Sequence, residues 1–532
     1  MIHVWMYMSA AIARPVQFTA GVLALLIAGL SFAPQPAWGQ LTPAGNPGGA
    51  TRATPLPLSG RTNQAGAATA QQSAAPGSGI DTISSSVQVS GDFAGSIPSN
   101  NVPPGTITLT LADAVKRGLE TNLGAISATN SVSLAAAQRS QSLSALLPNI
   151  AANASETVTQ IDLAAYGLQI SPPPGLGFSI PTIVGPFSYS QAQATLNQSL
   201  LDLVARRNWK ASKETERAAV LSAKDSRESI VLAVAGTYLQ TVADAARVAS
   251  QQAQVGNAQA VYNQAVVRKE AGTNARIDVV RSLVELQSQQ QRLTSLQADL
   301  RKEKLAFARL IGLPLDRELI LSDSLTPGQT TVPDAAAELQ IAFQRRSDLR
   351  AAEAQLHAAE LTLAAAHAER LPSATLSGDY GTIGPNPTVQ HGVFAATASV
   401  NVPIFEGGRI RGDIEEAEAT VRQRRAELAD QRGQVEQQVR TALIELETAM
   451  GQVKLAASNR DYAHETLNEA RDRFGAGVAT TVEVVQAQEQ VATAEADYIN
   501  SLFSYNLAKL SLARATGEAE ADLPNLFNGS RP

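Results

Sequence analysis

The chain has 532 residues, 44% hydrophobic and 17% charged, with 42 Lys and Arg against 48 Asp and Glu for a formal net charge of -6. Five His and no Cys exclude thiol nucleophiles, disulfide frameworks, thiolate zinc centres and CxxCH haem attachment. Basic residues interleaved with acidic ones leave no electrostatic footprint for nucleic acid. The 24 aromatics are few for this length, and abundant Ala, Gln, Leu, Val and Glu favour long helices over several compact cores.

Phe18 to Leu30 form a 13-residue apolar run behind Arg14, followed by Ala37-Trp38-Gly39-Gln40. This predicts a secretory signal peptide, residues 1–39, cut after Gly39; an uncleaved anchor is the alternative. No Cys is present to accept a lipid. Residues 40–104 are Gly, Pro, Ala, Ser, Thr, Asn and Gln with hardly any large apolar side chain, a composition that predicts a disordered tail. No later segment holds 18 uncharged apolar residues in a row, so any membrane crossing would be made without helices.

Thr110 with Asp113 three residues on predicts a capped helix running to about Leu147. After Leu147-Pro148 the period changes to two, giving strands at Asn149 to Ile161, where Glu156 lands on the apolar face, and at Phe187 to Leu200. A helix then runs from about Val204 to Ala271, roughly 100 Å at 1.5 Å per residue. It breaks at Gly272-Thr273-Asn274 and returns antiparallel. On the return, Val279, Leu286, Leu293, Leu300 and Phe307 are seven apart, the seam of a helix that supercoils against a neighbour.

The same series then recurs. Asp334 caps a helix ending near Leu371, and strands alternate at Ala374 to Tyr380 and Phe394 to Val402. A long helix runs from about Gly408 to Phe474, turns at Gly475-Ala476-Gly477, and returns with Val484, Val491, Tyr498, Tyr505 and Leu512 on its seam. Ala265 to Gly272 lies over Ala470 to Gly477 at an offset of 205, with Arg268 over Arg473, Asp278 over Glu483 and Gly312 over Gly517. The chain is an internal duplication: first repeat 105–312, linker 313–333, second repeat 334–517 and a C-terminal tail 518–532, each repeat with three helices and two strands. The offset is 224 at the two Leu-Pro pairs but 204 at Asn197 and Asn401, because the loop Asp162 to Pro186 is longer than Pro385 to Gln390. Variable loops between constant strands suit the outer side of an outer-membrane barrel. Four amphipathic strands leave open edges, and an open edge in lipid strands its backbone groups. Such a barrel must be shared between chains, and periodicity does not choose between eight strands in a dimer and twelve in a trimer.

Leu109-x-Leu111-x-x-Ala114-Val115 with Asn122, the two Leu-Pro strand entries, Arg346-x-Asp348-Leu349, Val402-Pro403-Ile404-Phe405-Glu406-Gly407-Gly408 and the Arg-x-x-x-Gly turns at Arg268 and Arg473 together resemble the TolC-like family of outer-membrane efflux and secretion channels. The first repeat departs at Ser199, Leu203 and Val204, where the second has Pro403, Gly407 and Gly408. The resemblance implies a mainly α chain with a β-barrel part: a homotrimer with a twelve-stranded barrel in outer-membrane lipid and a helical tunnel through the periplasm. It also implies a periplasmic adaptor and an inner-membrane pump as partners, and no cofactor. Asp278 and Glu483 match the family's periplasmic constriction, with Arg276 and Arg281 as nearby cations. Arg276 is matched by Thr481, the family's second acid is Gln486 here, and its basic residue in the second turn is Ala479. Gly272, Thr273, Gly477 and Val478, with Arg268 and Arg473, match the adaptor-docking tips. The plainer reading of the two acids is that each sits in a first helical turn, where the helix dipole favours negative charge.

Gly475-x-Gly477 is not a nucleotide loop, since Thr480 stands where a third Gly would be and no strand precedes it. His357 and His367 are ten residues apart and do not converge on a metal. HExxH, GxSxG and phosphate-loop patterns are absent, so an exported enzyme is not expected. A periplasmic adaptor or coiled-coil scaffold, which also uses long hairpins, is the second alternative, and the matched strand pairs argue against it.

Overall fold

The computed structural model describes residues 67–74, 83–98, 105–165, 167, 181–273, 275–325 and 331–521. The expected signal peptide, and residues 522–532 of the expected C-terminal tail, lie outside the described residues.

Each repeat begins with two helices rather than one. In the first, α1 (Leu111–Thr121) and α2 (Leu123–Ser144) are separated by Asn122, whose backbone is extended and whose side chain accepts from the Gly124 amide. In the second, α5 (Ala335–Arg345) and α6 (Ser347–Ala368) are separated by Arg346, also extended. The expectation of one continuous helix up to Leu147, and of another up to Leu371, is therefore corrected to four helices per repeat. Apolar periodicity runs through both breaks; what stops each helix is a buried polar side chain that binds elsewhere. Asn122 donates to Phe93 O at 2.7 Å. Arg346, 3% exposed, grips Asp348 with two nitrogens at 3.0 and 2.6 Å and also donates to Gln438 and Ala515 O. Burial pushes the Asp348 carboxyl up, but the hydrogen bonds and charge of Arg346 outweigh it and hold the group below its ordinary value. A Cβ on Gly312 would come within 2.8 Å of Thr121 Oγ1, and one on Gly517 within 3.2 Å of Arg346 Cα, so each repeat closes its corner with a glycine against the break.

The long helices follow the sequence reading: α3 (Leu203–Glu270) with α4 (Arg276–Leu310), and α7 (Arg409–Gly475) with α8 (Thr481–Thr516). Seam residues Leu286, Phe307, Val484, Val491, Tyr505 and Leu512 are buried. The largest core gathers the middle of α3, where Ile230 to Leu239 are all buried, with Phe307, Ile311, Phe503, Leu507 and Leu510. One 18-residue window of α3 is long and apolar enough to cross a membrane, yet 72% of it is buried within the fold.

Residues 313–333 are more than a linker. A strand within them, Leu319–Leu321, pairs in parallel with Ile107–Leu109, and Asp323 accepts from the Leu111 amide and from Tyr238 Oη, both at 2.8 Å. In chain order the Ile107–Leu109 strand is β3 and the Leu319–Leu321 strand β6. Ala519, in the expected C-terminal tail, is fully buried.

The expected disordered tail is corrected in part. Within it, β1 (Ala67–Ala74) and β2 (Ile83–Ser90) form an antiparallel hairpin that leads into a short 3-10 turn, Gly91–Ala94. Composition misses this strap because its apolar residues are few, but Ala68, Ala70, Val87, Val89 and Phe93 are spaced to enter the largest core, which both repeats build. Room is made for them: a Cβ on Gly236 would meet Val87 at 2.6 Å and one on Gly124 would meet Phe93 at 2.2 Å.

Four strands make one antiparallel sheet: β4 (Asn149–Asp162), β5 (Ile183–Leu201), β7 (Ser373–Asn386) and β8 (Val389–Asn401), in that order. β4 and β8 are its edges.

Candidate functional site

The register sorts the sheet into two faces. Ala152, Ala194, Tyr380 and Phe394 are mutual neighbours across the four strands, as are Ile150, Leu196, Gly378 and Ala396. One residue along, Asn149, Asn197, Ser377 and Thr397 line up, and so do Ala151, Thr195, Asp379 and Ala395. Side chains alternate faces along a strand, so toward the helix end of the sheet one face is apolar and the other carries Asn, Gln, Thr and Ser around a single carboxylate, Asp379, while toward the loops Phe187, Tyr189, Ile383 and Val393 share that second face. Ile150, Val158, Tyr380, Phe394 and Val400 on the apolar face are each at least 70% exposed. Glu156 shares that face, opposite Ser190 on the β4 edge.

At the other end of the long helices are the tips. Gly272 (φ 75°) and Gly477 (φ 78°) take the left-handed conformation the turns require. The Thr273 and Val478 amides bond back to Arg268 O at 2.9 Å and Arg473 O at 3.0 Å, and Val478 is 68% exposed. Glu483 completes a capping box with Thr480 and lies 3.8 Å from Arg473. Asp278 stands 4.0 Å from Arg281. The two acids therefore share no partner among the described residues; each is held within its own hairpin. Arg276 and Gln486 are exposed, and Arg276 forms no ion pair among the described residues.

The link between hairpins is one the sequence did not reveal. Arg268 donates to Gly475 O at 2.9 Å and lies 4.4 Å from the centre of the Phe474 ring. Phe474 is 3% exposed in a small core with Val261, Leu467, Val484, Ala487 and Val491. Higher up, the buried Gln251 and Gln289 join α3 to α4 at 2.6 Å. Gln488 and Thr481 are buried at 3% and 2% exposure with side-chain polar atoms unpartnered among the described residues. The only signal for Gln488 was its place four residues after Val484, where the seam period calls for an apolar residue. No group of three or more metal-ligating side chains occurs among the described residues.

The chain thus joins an open-edged four-stranded sheet to helices of 68 and 67 residues. Residues 339–518 match the family model for outer membrane efflux proteins. The pyoverdine export outer membrane protein OpmQ of Pseudomonas putida is 26% identical over 302 residues, 55% of this chain and 62% of that protein's length. The toluene efflux pump outer membrane protein TtgF of P. putida is 28% identical over 357 residues, 62% of this chain and 69% of the relative. The Campylobacter jejuni CmeC outer membrane channel shares the fold with a TM-score of 0.66 at 17% identity, over 83% of this chain and 95% of the channel. Residues 339–518 thus resemble outer membrane efflux proteins in sequence, and the chain shares its fold with solved outer membrane channels.

Proposed function

We propose that three copies of this chain close a twelve-stranded barrel in the outer membrane above a periplasmic helical tunnel, and that the assembly is the exit duct of a tripartite efflux or type I secretion system. The observation that carries this reading is the four-stranded sheet with both edges open and opposite chemistry on its faces. In lipid the edges must be paired, and β8 of one copy against β4 of the next pairs them. The polar face then lines a wet passage. Its Asn, Gln, Thr and Ser side chains suit cargo of varied chemistry, in keeping with relatives named for pyoverdine export and toluene efflux. Selection of cargo falls to the inner-membrane pump.

In this reading the tips, with Gly272, Thr273, Gly477, Val478, Arg268 and Arg473, receive a periplasmic adaptor. Asp278 and Glu483 ring the periplasmic aperture, with Arg276, Arg281 and Gln486 beside them. Mature protein begins at Gln40 after signal cleavage. The test is fractionation followed by electrophysiology: outer membranes should yield an SDS-resistant, heat-dissociable trimer that conducts ions in a planar bilayer. Recovery in the inner membrane or the soluble periplasm, with no conductance, would replace the channel with an adaptor or scaffold.

A further inference from the structure

The two faces of the sheet exchange character along the strands. On the first face the apolar rows give way, toward the loops, to Glu156, Ser190, Thr382 and Gln390, where Gln390 donates to Ser190 Oγ at 3.1 Å and accepts from Thr382 Oγ1. On the second face the polar rows give way to Val393, Ile383, Tyr189 and Phe187, a diagonal of apolar and aromatic side chains that crosses β8, β7 and β5. Phe187 is exposed and the other three are half-buried. No register shift falls between Asp379 and these rows, so all five side chains share one face.

The charge on these strands is one-sided. β4, β5, β7 and β8 hold no Lys or Arg, and their carboxylates are Glu156, Asp162 and Asp379. Asp379 is half-buried on the second face, paired with Thr195 on one side and Ala395 on the other. Strands rise ~3.3 Å per residue, so it lies ~7 Å from the level of Val393 and ~13 Å from that of Ile383. His391, opposite Ile383, is the one basic side chain on this face. An apolar patch on an otherwise wet surface marks a place where something binds. A carboxylate within one small molecule's length of the patch sets the sign of the ligand, and the Tyr189 and Phe187 rings favour the same sign, because the face of an aromatic ring attracts cations.

We infer that the outer half of the duct holds a binding station for lipophilic organic cations: the Asp379 carboxylate takes the charged centre, and Val393, Ile383, Tyr189 and Phe187 take the alkyl or aryl substituents. This rests on the barrel reading, which turns the second face inward, and deepens it by naming a cargo class that the duct itself retains. A quaternary ammonium or phosphonium suits the station because its charge is wrapped in hydrocarbon and donates no hydrogen bond. One molecule can therefore meet a carboxylate and an apolar wall without leaving a polar group unpaired. The pump still chooses what enters; the station sets how long such a cargo dwells before it leaves.

Single-channel block of the reconstituted trimer tests this. Tetraphenylphosphonium is the probe, tetraphenylborate is an anion of the same shape, and tetramethylammonium is a cation without the apolar surface. The phosphonium should block at lower concentration than either control. Asp379→Asn, and separately Ile383→Ser with Val393→Ser, should each raise its blocking constant about tenfold. Asp379→Asn changes charge and hardly changes size, so the test stands should the serine pair fail to assemble. Equal block by phosphonium and borate, no block of a conducting trimer, or a blocking constant unmoved by Asp379→Asn would overturn the inference and leave the barrel standing. A protein that conducts no ions at all removes the barrel reading and the station with it.

Discussion

Phe93 holds the N-terminal strap to the first repeat, and the contact can be measured with a double-mutant cycle. Phe93 is 8% exposed, and a Cβ on Gly124 would sit 2.2 Å from its Cδ1. Phe93→Ala empties that volume, a change that costs about 3–5 kcal/mol in a closed core. Here the loss is capped by the docking energy of the strap, because β1, β2 and the 3-10 turn can lift away before the helices part. Gly124→Ala overpacks the same spot and costs about 1–3 kcal/mol. In the double variant the new methyl enters the space the ring has left, so the two costs should be sub-additive by ~0.5–3 kcal/mol. Hydrogen exchange reads this directly: the Ile97 amide donates to Thr121 O and the Leu123 amide to Gly95 O, both at 2.9 Å. Each ~1.4 kcal/mol of lost docking should speed exchange at these amides about tenfold. Unchanged protection in Phe93→Ala, or strictly additive costs, would refute this account of the strap.

Other consequences can be tested alongside. Arg268→Ala removes a hydrogen bond and a cation–ring contact between the hairpins, about 1–2 kcal/mol, and should raise the resting conductance of the trimer; unchanged conductance would mean the link does not hold the tips shut. Asp278→Ala with Glu483→Ala should lower cation selectivity and relieve divalent block, whereas acids that only serve helix ends would cost about 0.3–1 kcal/mol each and leave selectivity alone. Burial raises the Glu445 carboxyl above its ordinary value. Between the unfolded and folded values the folded state holds a proton that the unfolded state releases, so this group's contribution to stability falls as pH rises through that window. Glu445→Gln should therefore raise thermal stability at pH 7 and lose that advantage below pH ~4.3, where the unfolded carboxyl is also protonated.

The hairpins, the duplication and the strand faces were legible because each is a repeating pattern: seven residues between Val484 and Val491, two between Phe394 and Ala396. The breaks at Asn122 and Arg346 were not, since neither is Gly or Pro and what ends the helix is a partner distant in sequence, Phe93 O for one and Gln438 for the other. The strap was hidden for a related reason. Its stability depends on glycines that receive it, Gly124 and Gly236, as much as on its own composition. At the tips, the first-turn positions of Asp278 and Glu483 could be read from the sequence. The contact of Arg268 with Gly475, 207 residues apart, could not.

For a chain exported as proposed above, the apolar middle of α3 bears on the route. In the finished protein α8 covers it, with Phe503, Leu507 and Leu510 in the same core. Those residues lie more than 250 positions later, so a chain translocated from its N-terminus delivers α3 to the periplasm well before its cover. Until then it offers a window with the length and composition of a membrane span, which a translocation channel can release sideways into the inner membrane. Arg227 and Glu228 just before Ile230 to Leu239, and Asp244 and Arg247 just after, put charge at both ends of the stretch and raise the cost of that release. The same segment that holds the two repeats together is thus the one a periplasmic holding chaperone would have to shield while the second repeat is still emerging.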